Sequence, residues 1–99
     1  MCNLNSPEID ALCDAIVSLE SKEECARFLE DALTQKEIID IAQRYKAARM
    51  LRDGYSYAAV CKETGMSTAT ISRVSKALEN GRGGYHLVLE RTDNLERND

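Results

Sequence analysis

The chain has 99 residues, 43% hydrophobic and 30% charged, with one proline and a net charge of −4. That length supports one domain with a small core, so sharing a core with a second chain is an expected route to more burial. The longest apolar run, Tyr57 to Cys61, is far too short to span a membrane. The N-terminus has neither the basic start nor the apolar stretch of a signal peptide, so the expected location is cytoplasmic, with no membrane partner.

Ser6-Pro7-Glu8 combines a cap, a first-turn proline and an acid at the positive end of a helix dipole. The helix it starts carries Ile9, Leu12, Cys13, Ile16 and Leu19 as one stripe. Ser21-Lys22-Glu23-Glu24 is a capping box for a second helix, with Cys25, Phe28, Leu29 and Ala32 on one face. Thr34-Gln35-Lys36-Glu37 is another, opening a third helix that runs to about Asp53 and stops at Gly54. Its apolar residues, from Ile38 to Leu51, spread over a wide arc, which requires partners on two sides.

Ser56 caps a fourth helix and Gly65 breaks it, at a position suited to the left-handed conformation. Ser67 caps a fifth helix, in which Ile71, Val74 and Leu78 form a buried stripe ending near Gly81. Cys61 takes the small position four residues before Gly65. Together, Tyr57 to Leu78 reads as a helix-turn-helix whose second helix is built to enter a DNA major groove. Thr68, Ala69, Ser72, Arg73 and Lys76 are left outside: short side chains for approach to base edges, cations for phosphates. The expected DNA-binding set is Tyr57, Ser67, Thr68, Ala69, Thr70, Ser72, Arg73 and Lys76. Gly81-Arg82-Gly83-Gly84 reads as a flexible break. Tyr85–Arg91 fits either a short helix or an extended segment, and Thr92 to Asp99 reads as a polar, frayed tail. Capped, periodic helices throughout make the fold class all-α.

Charge is segregated. Residues 1–43 carry −7, residues 44–82 carry +5 and residues 83–99 carry −2. The positive potential thus coincides with the motif, where a phosphate footprint needs it. The cysteines Cys2, Cys13, Cys25 and Cys61 include no Cys-x-x-Cys pair, and the single His86 has no neighbouring ligands, so no metal site is expected. Cys13, Cys25 and Cys61 are expected to be thiols that pack in a core.

The run from Leu33 to Leu78 resembles the tryptophan repressor family, and within it the YerC/YecD-type branch. The shared residues are Leu33-Thr34-x-x-Glu37, Arg44, Leu51-Arg52-Asp53-Gly54-Tyr55-Ser56, Gly65 and Ala69-Thr70-Ile71-Ser72-Arg73. The resemblance implies a six-helix subunit and an intertwined homodimer that places two recognition helices in successive major grooves of a near-palindromic operator. It also implies a last, dimer-contacting helix at Tyr85–Arg91. On this reading residues 1–54 hold the dimerisation helices, 56–80 the helix-turn-helix, and 81–99 a C-terminal helix and frayed tail.

In that family two arginines flank the indole of the corepressor and a threonine helps hold its carboxylate. Arg44, Arg73 and Thr34 stand at those positions and are the candidate ligand residues. Val74, however, replaces a glycine beneath the ligand, and Ala77 replaces a serine that helps bind the amino group. A buried ammonium without that partner loses ~1–3 kcal/mol. No cofactor is therefore expected, and tryptophan or another small corepressor is the lesser reading. Arg73 reads first as a phosphate contact.

The function implied is a dimeric transcriptional regulator of double-stranded DNA, acting as a repressor. Two alternatives keep the helices but change their use. One is the DNA-end module of a transposase or replication-type system, and the other is a helical protein-interaction module. The sequence contains no Gly-rich phosphate loop, no G-x-S-x-G and no metal-ligand cluster, so no enzyme is expected.

Overall fold

The computed structural model describes residues 6–97. Within them lie six helices and no strand: α1 (Pro7–Val17), α2 (Lys22–Ala32), α3 (Gln35–Arg52), α4 (Tyr57–Thr64), α5 (Thr68–Asn80) and α6 (Gly84–Arg97). The chain divides into two compact units, residues 1–38 and 39–99.

In the first unit the helix starts follow local chemistry. Ser6 Oγ accepts the Ile9 N–H at 3.1 Å, and Ser21 Oγ accepts the Glu24 N–H at 3.1 Å. Glu24 turns back to accept from the Glu20 N–H at 2.9 Å, one residue earlier than a reciprocal box requires. At Thr34 the box is complete: its Oγ1 accepts from Glu37 N–H and its own N–H donates to the Glu37 carboxylate at 2.8 Å. Neither α1 nor α2 contains a buried residue. Leu12, Ile16 and Val17 are 47%, 51% and 82% exposed. The expectation that Cys13 and Cys25 pack in a core is therefore not met within one chain: Cys13 is exposed and Cys25 is half-buried. An amphipathic stripe predicts that a face is to be covered, without saying by which chain. Cys2 lies outside the described residues.

The second unit has a core of Ala47, Ala48, Val60, Ile71, Val74 and Leu89. Ala47 and Ala48 are fully buried in it, and Tyr45, Met50, Leu51, Cys61, Met66, Leu78 and Tyr85 pack around this centre. The α3 arc is only partly used, because Ile39 and Ile41 remain about half exposed. This helix ends in a Schellman arrangement: Gly54 N–H bonds Leu51 O at 3.1 Å, Tyr55 N–H bonds Met50 O at 3.0 Å, and Gly54 has φ +95°.

The Tyr85–Arg91 segment is helical and belongs to α6. Gly84 is its first residue, so the break between α5 and α6 is shorter than expected. The frayed tail expected from Thr92 is also corrected, since α6 continues to Arg97; residues 98 and 99 lie outside the described residues. Long-range bonds hold the added turn. Tyr45 Oη and Thr92 Oγ1 are 3.2 Å apart, and Arg52 Nη1 donates to Asp93 at 2.8 Å. Asp53 also binds Arg52, and the two carboxylates raise the pKa of this guanidinium, Asp53 contributing most. Leu89 anchors the middle of the helix at full burial, and His86 Nε2 lies 2.9 Å from Leu78 O, near the end of α5.

Candidate nucleic-acid interface

The α4–turn–α5 unit is built by capping. Ser56 Oγ accepts the Ala59 N–H at 3.1 Å and starts α4. Gly65 ends it at φ +73°, donating its N–H to Cys61 O at 2.8 Å. Thr64, nearly buried, braces the turn: its hydroxyl donates to Val60 O at 2.7 Å and accepts from Met66 N–H at 3.2 Å. Nothing in the helical periodicity distinguishes Thr64, which sits where a surface polar residue would also fit. Ser67 then caps α5 by accepting the Thr70 N–H at 3.2 Å.

The helix so placed buries Ile71 and Val74 and half-buries Leu78. Thr68, Ala69, Arg73 and Lys76 are exposed, as is Tyr57 at the head of α4. Ser72 and Thr70 are half-buried. Ser67 is exposed, but its Oγ also shares a hydrogen bond with Thr70 Oγ1 at 3.0 Å. Ser67 and Thr70 are thus engaged in forming the helix start, whereas Thr68, Ala69, Arg73 and Lys76 are available to a ligand.

The basic residues fall into two groups. Lys46 is paired with Glu63 at 3.1 Å and Arg52 with Asp53 and Asp93. Arg49 lies over the Tyr45 ring, 5.8 Å from its centroid. Arg44, Lys62, Arg73, Lys76 and Arg82 are exposed and make no ion pair among the described residues. The net positive charge of the segment is therefore carried by side chains whose charge is not compensated locally.

Arg44 and Arg73 come together on one cavity of about 240 Å³, whose other walls are Thr70, Val74, Ala77 and Tyr85. Val74 is almost fully buried and occupies space that a glycine would leave open. No carboxylate lines this cavity. Tyr85 escaped the sequence reading because its helix was undecided there. Thr34 belongs to the first unit, where its hydroxyl and N–H are both used in the bond pair with Glu37. A wider groove beside the cavity is lined by Ile41, Tyr45, Val88 and Tyr85 with Arg44 and Arg82. Among the described residues no group of His, Cys, Asp and Glu could hold a metal ion, and no helix is long and apolar enough to cross a membrane.

Comparison with known proteins bears on the fold and the family. The sequence model of the family described as Trp repressor protein matches residues 7–93. An uncharacterized protein of Bacillus subtilis, YerC, is 46% identical over 93 residues, covering 94% of this chain and 89% of its own. A TrpR-like protein from Eubacterium eligens superposes with a TM-score of 0.86 at 41% identity, covering 91% of this chain and 93% of that one. A candidate Trp repressor from Staphylococcus aureus superposes with a TM-score of 0.86 at 43% identity, covering 91% and 90%. A matched span that runs from the first turn of α1 into α6 leaves one assignment: the chain belongs to the Trp repressor family.

Proposed function

We propose that the protein is a cytoplasmic, homodimeric, sequence-specific DNA-binding regulator that represses transcription by occupying a promoter. The observation that carries this reading is the head of α5. Exposed Thr68 and Ala69 stand on the same helix as the uncompensated cations Arg73 and Lys76, in the one segment of the chain with net positive charge. Short side chains reach base edges, and cations neutralise phosphates. Membership of a family described as Trp repressor protein supports the coarser part, a helix-turn-helix DNA-binding regulator outside the enzymes.

Dimerisation is supported by the first unit. Helices α1 and α2 contain no fully buried residue within one chain, and Leu12, Ile16 and Val17 lie open. Covering such a face needs no new contact chemistry when a second copy supplies an apolar surface, and two-fold symmetry then duplicates the α5 head at a spacing of roughly 34 Å, one DNA turn. Residues 1–54 serve the dimer, residues 56–80 read DNA, and the C-terminal helix joins the dimer contact. The operator is near-palindromic.

DNA binding is independent of tryptophan. Val74 puts a branched side chain on the wall of the cavity that Arg44 and Arg73 share, and Ala77 offers no acceptor to an ammonium group. Arg73 acts instead on a phosphate. The test is selection of bound sequences from a randomised DNA pool at near-physiological salt with the purified protein alone. A near-palindromic consensus is expected. A pool that stays random while added tryptophan restores selection would overturn the ligand-independent reading, and one that stays random under both conditions would overturn sequence-specific binding.

A further inference from the structure

We propose that Cys61 is a positioning residue for Thr68, and that the pair turns the head of α5 into a reader of a thymine methyl group. This role rests on the DNA-binding reading above and adds to it the identity of one recognised group.

Thr68 is the first residue of α5 and is exposed. A threonine side chain in a helix divides between two χ1 rotamers, and each rotamer presents a different group outward. Among the described residues, the one partner of the Thr68 hydroxyl is Cys61, whose Sγ lies 3.8 Å from Oγ1. The neighbouring hydroxyls do not compete for it, because Ser67 Oγ and Thr70 Oγ1 are bonded to each other at 3.0 Å and Ser67 also holds the Thr70 N–H. Cys61 is itself well placed to act as an anchor. It is half-buried against the core, and its carbonyl accepts the Gly65 N–H at 2.8 Å at the start of the turn.

A thiol is a weak donor and a weak acceptor. Choosing between two rotamers of similar energy requires little more than thermal energy, which a weak bond supplies. With Oγ1 held toward Sγ, the hydroxyl is engaged and the Cγ2 methyl is what Thr68 offers to a ligand. That methyl complements the C5 methyl of thymine, the one apolar feature of the major-groove edge. Free threonine and serine hydroxyls would accept either polarity and select no base.

The test uses the full chain and a selected operator. The thymine facing the α5 head in one half-site is replaced by deoxyuridine, which removes one C5 methyl alone. Wild type is expected to lose about fourfold in affinity, the value of one buried methyl-sized group. Thr68→Ser, which keeps the hydroxyl and removes the methyl, is expected to bind both operators equally. Cys61→Ala is expected to lose the discrimination, and so is Cys61→Ser, whose shorter side chain leaves its oxygen beyond hydrogen-bond reach of Thr68 Oγ1. Thermal melting confirms that each variant is folded. Independently of DNA, three-bond couplings at Thr68 are expected to report one χ1 rotamer in wild type, and averaging in Cys61→Ala and Cys61→Ser. Averaging in wild type overturns the proposal, as does discrimination that survives in folded Cys61→Ala or is absent in wild type. Failure to bind any DNA would instead remove the regulator reading, and the couplings alone would then decide whether Cys61 orients Thr68.

Discussion

Arg73 offers a quantitative test of where the DNA-binding charge resides. Its guanidinium is exposed and makes no ion pair among the described residues, so its whole charge is available to a phosphate. Each neutralised phosphate adds about 0.9 to the steepness with which log affinity falls with log salt. The proposed homodimer carries Arg73 twice, so Arg73→Ala should reduce that slope by about 1.8 and cut the affinity change between 50 and 200 mM salt roughly tenfold. The contrast is the pair Lys46–Glu63, joined at 3.1 Å. Exchanging both for glutamine leaves the net charge unchanged, and at a screening length of about 8–10 Å a phosphate senses only the sum of the pair. That double variant should keep the wild-type slope. Fluorescence anisotropy of a labelled operator, titrated at several salt concentrations, measures both. An Arg73→Ala slope equal to wild type, with the protein folded, would refute the assignment of Arg73 to a phosphate. An equal loss in the Lys46→Gln/Glu63→Gln variant would refute the distinction between compensated and uncompensated cations.

Gly65→Ala should destabilise the protein by ~1–2 kcal/mol, because the left-handed φ of +73° is costly for a residue with a Cβ even though nothing lies within 4 Å of where that atom would be; urea unfolding at fixed protein concentration should show a lower midpoint with an unchanged m-value. Gly81→Ala should be harmful for a different reason, since its Cβ would collide with the backbone oxygen of Ala77 and displace the join between α5 and α6; a melting temperature equal to wild type would contradict this. Ile16→Asp places a charge on the uncovered α1 face and should convert a dimer to monomer in sedimentation while far-UV circular dichroism still reports folded α3–α6 helices. Calorimetric titration with tryptophan should give no binding to the wild-type chain, because Val74 narrows the cavity from one wall and Ala77 lacks an acceptor; a measured heat with saturation would reverse that reading.

The features legible in the amino-acid order are local ones. Ser6, Ser21, Thr34, Ser56 and Ser67 each satisfy orphan N–H groups within a few residues, so the start of each helix from α1 to α5 follows from short-range chemistry. The same holds for Gly65, whose φ is a property of one residue, and for the α5 stripe, in which Ile71 and Val74 are buried as periodicity requires. The basic segment was legible too, since charge is a sum over residues whatever their contacts.

Whatever depends on residues distant in the chain was settled by the packed fold. A short apolar run from Tyr85 has no period that separates helix from strand. It becomes α6 because Leu89 enters the core and because Tyr45 and Arg52 hold Thr92 and Asp93 from far away in the sequence. Which cations are compensated is likewise a matter of distance: Lys46 meets Glu63, while Arg73 and Lys76 meet no carboxylate among the described residues. The stripe on α1 marks a surface to be covered, but a single chain leaves it open, because an amphipathic pattern specifies a need for apolar contact and carries no information about which molecule provides it.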